Sequence, residues 1–396
     1  MNIGLITGEY PPDHGGVGDF THHLAYALAD LGHRVHVITS VAPSADAGRG
    51  AEEPASDVSD LTEHRIVESW RFGCWRRILR LSKQLNLDVL NIQYQAAAYD
   101  MHPAINLVPP QQQRPVLAVT FHDLKVPYLF PKAGPLRQWV VHALARRAEG
   151  TIVTNREDQR KLSSLKVPPA ELERIPIGSN IACTLPAGYD RAEERARWGI
   201  QPDDLLLGYF GFLNESKGGE ELIEALGLLV DEGLAAQLLK IGGRIGTSDP
   251  TNRAYADKVE RLIADRGLEE HVHWTGYLSS TEVSASLCAT DVCVLPYRDG
   301  VSFRRGSLLA CLAHGRAIVT TRPAVHLPEV SDGETMLLVE PGDAAGLAEA
   351  VTRVAVDRAK RARLEAGAEK LAMRFEWSRI ARRTGAFFTR LIKDNQ

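Results

Sequence analysis

The sequence has little of several things that mark large classes of protein. Its 396 residues hold five cysteines, at positions 74, 183, 288, 293 and 311, an odd number with no Cys-x-x-Cys pair. A dense disulfide framework is therefore excluded, and no local spacing signals a zinc site. Cys288, Cys293 and Cys311 lie among apolar neighbours and read as small buried hydrophobes. No apolar run approaches the ~18 residues that a membrane-spanning helix needs. The opening MNIGLITGEYPP has no basic stretch ahead of a long apolar core, so it does not read as a secretory signal. Neither sign of charge dominates: 46 Lys and Arg face 50 Asp and Glu, for a net charge of −4. A nucleic-acid binder would show a basic surplus. These absences together predict a reduced, cytoplasmic, enzyme-like protein without nucleic-acid partners or transmembrane segments.

What is present is an ordinary globular composition, 44% apolar and 24% charged. At about 150 residues per domain, the length predicts two or three domains. Residues 2–7 read as a short apolar strand, 8–18 as a loop rich in Gly and Pro, and 20–31 as a helix with Leu24, Ala27, Leu28 and Leu31 on one face. Further strands are expected at 34–39, 88–93, 116–121 and 150–154, with a surface loop over 42–60. The pattern then restarts. Strands are expected at 205–211, 237–241, 271–274, 291–295 and 317–320, and helices at 220–230 and 254–266. Strands alternating with helices predict parallel sheets covered on both faces. Between the two series, residues 183–200 lose strand character. The expectation is an α/β protein of two Rossmann-like doubly wound domains, 1–185 and 186–375. A basic helical segment, 376–396, closes the chain. In such folds ligands bind beyond the carboxyl ends of the strands.

Several segments are familiar as a set: EYPPDHGGVGDFTHHLAYALADLGHRVHVIT, IPIGSNI at 175–181, GFLNESKGGEELIEAL at 211–226, HVHWTGYLSSTEVSASLCATDVCVLPY at 271–297 and AHGRAIVTT at 313–321. In this order they resemble retaining glycosyltransferases of the family-four type, which have the GT-B fold. The resemblance implies two Rossmann-like domains facing a central cleft. It implies a nucleotide-diphosphate sugar as donor, held mainly by the second domain, with an acceptor on the first. It also implies no catalytic metal, no cofactor, and a last helix that crosses back to the first domain. The acceptor class stays open among a glycan, a glycolipid and a natural product. The chain departs from the family where a Glu-x7-Glu pair is usual. Those positions fall on Ser302 and Ala310. The usual Arg of a G-R-L-x-x-x-K motif falls on Phe212, although its Lys matches Lys217. The missing pair motivates a rival reading, a catalytically silent homologue that binds a nucleotide, a glycan or a partner.

The chemistry assigns roles. Gly15 and Gly16 lie between the first strand and first helix, where backbone amides approach an anion closely. The third glycine of a dinucleotide fingerprint is missing, so a nicotinamide oxidoreductase fits poorly. Breaking an anomeric C–O bond leaves a nucleoside diphosphate, and without a metal its charge must fall on cations and amides. Lys217, Arg304 and Arg305 in the run SFRRGS (Ser302, Phe303, Arg304, Arg305, Gly306, Ser307) are the expected diphosphate clamp. A helix beginning at Gly306–Ser307 would aim its N-terminus at the phosphates. His122, at the end of the strand VLAVTF, is expected to meet the donor sugar by resemblance, so His122, Lys217 and Arg305 are the expected catalytic groups. Gly243 and Arg244 follow one strand and Tyr277 and Leu278 another, where the family packs the base. Gln93, Tyr94 and Gln95 stand at a strand end, as acceptor or sugar contacts or as packing. Asn180, where the family often has Asp, reads as a turn residue.

Overall fold

The computed structural model describes residues 1–13, 15–41, 60–109, 115–124, 136–164, 172–244 and 250–395. The loop expected at 42–60, apart from Asp60, lies outside these, as does His14. The chain divides into two compact units, 1–178 with 376–396 and 179–375.

The first unit is built on seven parallel strands: β1 (Asn2–Ile6), β2 (Arg34–Ser40), β3 (Leu61–Val67), β4 (Val89–Tyr94), β5 (Val116–Phe121), β6 (Gly150–Val153) and β7 (Leu172–Arg174). Helices α1 (Gly16–Ala29), α2 (Cys74–Gln84), α3 (Leu136–Arg147) and α4 (Arg156–Ser164) connect them. The strand order is β3-β2-β1-β4-β5-β6-β7. Every residue of β4 and β5 is buried, as parallel strands covered on both faces must be. Helix α1 forms because Val17, Phe20, Leu24, Ala25 and Leu28 recur at helical spacing, and that face is buried. The strand order reverses between β1 and β4, so the loops after these two strands flank the sheet's switch point.

The second unit has helix α5 (Arg191–Arg197), then β8 (Leu205–Phe210), α6 (Gly219–Asp231), β9 (Ala236–Ile241), α7 (Pro250–Asp265), β10 (Val272–Trp274), α8 (Ser280–Ala289), β11 (Val292–Leu295), α9 (Gly306–Ala313), β12 (Ile318–Thr321) and β13 (Leu337–Val339). Helices α10 (Ala344–Val356) and α11 (Arg358–Ala372) complete it. Its order is β10-β9-β8-β11-β12-β13, so the switch point lies between β8 and β11. The loops after those strands carry Lys217 and the run SFRRGS. The stretch 183–200, featureless by pattern, holds α5, whose N-cap Asp190 accepts from the amides of Ala192 and Glu193.

The last helix, α12 (Trp377–Asp394), belongs to the first unit. Ile380, Ala381, Phe387, Phe388 and Leu391 enter one core cluster with Ile3, Leu5, Leu24, Leu28 and Val37. The contact is close. A Cβ on Gly150 would sit 2.3 Å from Leu391 Cδ1, and one on Gly178 2.5 Å from Trp377 Cε2. On the outer side, Glu173 accepts from Arg383 at 3.0 Å and Arg390 at 2.6 Å.

The two kinds of contact differ in weight. Phe387 is fully buried, so Phe387→Ala is expected to cost about 3–5 kcal/mol. The half-exposed ion pair of Arg390 contributes at most about 1 kcal/mol. Urea unfolding followed by tryptophan fluorescence should show a large midpoint loss for Phe387→Ala and a small one for Arg390→Ala. Equal losses would mean that charge, and not the aromatic face, holds the helix.

Candidate functional site

In the second unit, cationic groups gather where β8 and β11 end. Gly211 leaves β8 with φ of +115°, a backbone that a side chain would strain. It also leaves room: a Cβ there would lie 2.9 Å from Lys217 Nζ and 3.8 Å from Ser307 Cβ. The Lys217 ammonium thus sits against bare backbone beside the first turn of α9. Desolvation, and then the neighbouring Arg305, lower its pKa to about 8. Residue 217 closes a short 3-10 turn, Glu215–Lys217, and Gly218 follows in the left-handed region at φ +71°.

Arg305 is the residue before α9 and is mostly buried. Its Nη1 donates to Ser216 Oγ at 3.2 Å, its Nη2 reaches both oxygens of Asp299, and its guanidinium lies 5.0 Å from the Tyr297 ring centre. One side of the expected clamp is therefore already engaged by a carboxylate. Arg304 is half-buried and its amide donates to Ser302 Oγ at 3.3 Å, which shapes the turn. Phe303 is buried against Phe375, with ring centres 4.8 Å apart, so it supports the loop from within the core. Gly306 is exposed, while Ser307 is buried with its hydroxyl 2.7 Å from Tyr297 OH. Ala310, on the buried side of α9, is 1% exposed.

The ends of β9 and β10 bring Gly243, Arg244 and Tyr277 together. Tyr277 is 70% exposed and its ring lies over Gly243, where a Cβ would come within 2.7 Å of Cζ. Phe212 meets it edge-on at 6.1 Å. Leu278 is half-buried. Arg244 points to Glu260 at 2.9 Å and over the Trp274 ring at 4.9 Å.

Lys240 was hidden in the sequence by its apolar strand, AQLLKI. It is fully buried, and its Nζ donates to the carbonyls of Gly242 at 3.0 Å and Gly243 at 2.5 Å. Burial, then Lys217 and Arg244, depress its pKa to about 7. It holds the backbone beneath Tyr277 and adds charge behind Lys217.

In the first unit, the N-terminus of α1 is met by the chain itself. Glu9 Oε1 accepts from Val17 N at 3.0 Å and Gly18 N at 3.3 Å. A Cβ on Gly15 would lie 2.1 Å from the Glu9 carboxyl carbon and push that side chain off the helix amides, whereas Gly16 is open to solvent. The glycines admit Glu9, a partner that the sequence reading had not placed there. His122 extends a polar chain through the sheet end. Thr120 bonds Asn91, Asn91 accepts from Gln93, and Gln93 Oε1 lies 2.9 Å from His122 Nε2. Because the Gln93 amide donates to Asn91, its oxygen faces His122. The imidazole then carries its hydrogen on Nε2 and leaves Nδ1 as an acceptor. Burial lowers the His122 pKa to about 3, which keeps the ring neutral. Tyr94 is a packing residue, 1% exposed, with its ring 5.3 Å from that of Phe121. Gln93 is equally buried and positions His122, while Gln95 is half-buried.

Two parallel, doubly wound sheets, one with cations at its switch point, define a doubly wound α/β protein whose charged groups stand where such folds bind ligands. Comparison with known proteins narrows this. The profile "Glycosyl transferase 4-like domain" matches residues 15–178, and "Glycosyl transferases group 1" matches 204–357. The chain is 29% identical to a glycogen synthase of Mycobacterium tuberculosis, over 98% of this chain and 94% of that one. Its fold resembles sucrose-phosphate synthase from Thermosynechococcus elongatus, with a TM-score of 0.70, 22% identity and full coverage of both chains. It also resembles the Anabaena protein HepE, solved with UDP and glucose, with a TM-score of 0.71 and 17% identity over 98% of this chain and 99% of that one. The chain belongs to the family-four type of glycosyltransferase, with the GT-B fold; such enzymes use nucleotide-sugar donors. Among the described residues no helix is long and apolar enough to cross a membrane.

Lowered lysine pKa values give a test with a definite sign. A bound diphosphate favours the charged lysine and raises its pKa. Binding near pH 8 should therefore take up protons, and affinity should fall as pH rises through 8. Calorimetry of nucleoside-diphosphate binding in buffers of different ionisation enthalpy measures this uptake. Proton uptake that persists in Lys217→Met would show that another group, such as Lys240, titrates instead.

Proposed function

We propose that this chain transfers a glycosyl group from a nucleoside-diphosphate sugar to a hydroxyl acceptor, with retention at the anomeric carbon and without a catalytic metal. The reading rests on one observation above the others: Lys217 Nζ and Ser307 in the first turn of α9 meet beside Gly211, with the Arg305 guanidinium near enough to Lys217 to act on its charge. As the anomeric C–O bond breaks, its electron pair goes to the diphosphate oxygen. Lys217, Arg305, Arg304 and the amides of Gly306 and Ser307 stabilise that charge. The acceptor oxygen bonds to the anomeric carbon and its proton passes to the leaving phosphate. Tyr277, with Phe212, Leu278, Gly243 and Arg244 around it, offers a platform for the base. His122 acts as a neutral hydrogen-bonding group toward a sugar hydroxyl, because burial lowers its pKa to about 3 and makes the ring a poor proton acceptor. The acceptor is a glycan, a glycolipid or a natural product.

Ribose must be held without the family's acidic side chain, since Ala310 cannot accept a hydrogen bond through its side chain. Affinity should depend heavily on phosphate and lightly on the ribose hydroxyls. A thermal-shift panel of nucleotide sugars identifies the donor, because a ligand of the native state raises the melting temperature. With that donor, product NMR should show a retained anomeric configuration, and turnover should not rise on adding Mg²⁺ or Mn²⁺. Lys217→Ala should lose about 1.5–3 kcal/mol of transition-state stabilisation with no fall in melting temperature, since the ammonium is already desolvated. Removing the 2′-hydroxyl should weaken binding less than tenfold. If no nucleotide shifts the melting temperature, the silent-homologue reading replaces this one.

A further inference from the structure

A second cluster of chemically able side chains lies in the same unit, away from the cations. Cys183 Sγ, Cys288 Sγ and a ring nitrogen of His314 all fall within 4.8 Å of one another. Cys183 is exposed on the segment that opens the unit, Cys288 is half-buried near the end of α8, and His314 is buried just after α9. Helices α8 and α9 each run back from the carboxyl edge of the sheet to begin the next strand. Their C-terminal ends therefore stand at the amino edge, opposite Lys217 and Arg305.

The histidine is already set as a ligand. His314 Nδ1 lies 2.7 Å from Ala310 O, which only accepts, so Nδ1 carries the hydrogen. Nε2 carries no hydrogen and accepts from the Ser284 hydroxyl at 2.8 Å, a bond that a cation on Nε2 would replace, while Ser284 Oγ accepts from Thr184 N at 3.0 Å. A ring anchored through one nitrogen to a backbone carbonyl is how metal-binding histidines fix their tautomer. Burial keeps the ring neutral by lowering its pKa. Arg316 ties the two ends together: its Nε donates to His314 O at 3.0 Å and its Nη1 to Cys288 O at 3.4 Å.

We propose that Cys183, Cys288 and His314 bind a thiophilic, tetrahedral divalent cation, Zn²⁺, through two thiolates and the His314 Nε2 lone pair. Water or the Ser284 hydroxyl takes the fourth position. With Zn–S near 2.3 Å and Zn–N near 2.0 Å, tetrahedral ligands stand roughly 3.5–3.8 Å apart. The cluster, bounded by 4.8 Å, must close by about 1.3 Å at most, and Cys183 is on an exposed segment. Binding replaces two thiol protons, which pass to solvent, and the two thiolates neutralise the ion. The site is a staple. It pins the segment around Cys183 to the ends of α8 and α9, and it has no part in the transfer chemistry.

The test uses the full chain, reduced and stripped by a chelator. Titration with Co²⁺ should give one ion per chain, with sulfur-to-cobalt charge-transfer bands and the strong visible bands of tetrahedral Co²⁺. Zn²⁺ should displace it and raise the melting temperature. Cys183→Ser alters an exposed residue and should fold, yet bind roughly a hundredfold more weakly or worse. His314→Gln should weaken binding similarly, while Cys293→Ala, at a buried thiol beside Thr290 Oγ1, should not. Three results would overturn the proposal. They are the lack of any cobalt–thiolate band, a band unchanged in Cys183→Ser, and a Cys183–Cys288 disulfide as the only product with no metal bound under reducing conditions.

Discussion

Parallel strands leave no face for water, so each sheet here must be covered by helices on both sides. That requirement places every loop of consequence. Each strand has to hand over to a helix at its carboxyl end, and the helix has to return to the amino end. Where the strand order reverses, at β1/β4 and at β8/β11, neighbouring loops diverge and leave room. The loop after β8 carries Lys217 and the loop after β11 carries Arg305. Residues 88 positions apart in the chain are thus adjacent because of topology alone. The same geometry sends the ends of α8 and α9 to the other edge, where Cys288 and His314 meet Cys183.

Charge is treated in two ways within one unit. Arg298 lies among Glu215, Glu220 and Glu221, at 3.2, 2.9 and 2.6 Å, and Glu220 also reaches Lys258. That network pairs each of its two cations with carboxylates, three in all, and reads as structural. Lys217 and Lys240 are different: desolvation and neighbouring cations both push their pKa values down. Holding like charges together out of water is unfavourable, and an anion relieves it. A clustered depression of lysine pKa values at a strand edge is therefore a functional signal, where a balanced network is not. Arg305 stands between the two cases, since Asp299 already holds one side of its guanidinium.

Much of this was legible in the chain. Strong alternation of apolar strands with amphipathic helices marked β1, β2, β4, β5, β6 and most of the second sheet. The strands that escaped notice have weak patterns for physical reasons. β3, LTEHRIV, is an edge strand with exposed Thr62 and Glu63, and β7 and β13 have three residues each. α5, RAEERAR, shows few apolar positions and is marked mainly by its Asp190 cap. Lys217 was readable because it sits in a local motif. Lys240 was not, because nothing nearby distinguishes a buried lysine from one that emerges at a strand end. Glu9 looked like a loop residue, since its partners are backbone amides eight and nine residues on. Cys183, Cys288 and His314 have no spacing that a reader of sequence would join.

Helix α9 connects the two edges of the second unit. At about 1.5 Å per residue its eight residues span roughly 12 Å, short enough to move as one body. Its first turn is tied through the Ser307–Tyr297 hydroxyl contact, and its last through His314, which bonds Ala310 O and Ser284. Fixing both ends fixes the direction of the N-terminal amides, and amides that need not reorient cost no reorganisation when charge develops before them. Ala310 fits this scheme. An alanine keeps the middle of α9 packed, with its carbonyl serving His314, where a carboxylate would need either a ligand or a partner in the core. On the proposed reading, the alanine takes away a side-chain acceptor for ribose while α9 keeps its anchors at Ser307 and His314, and binding then leans on the amides at the start of the helix.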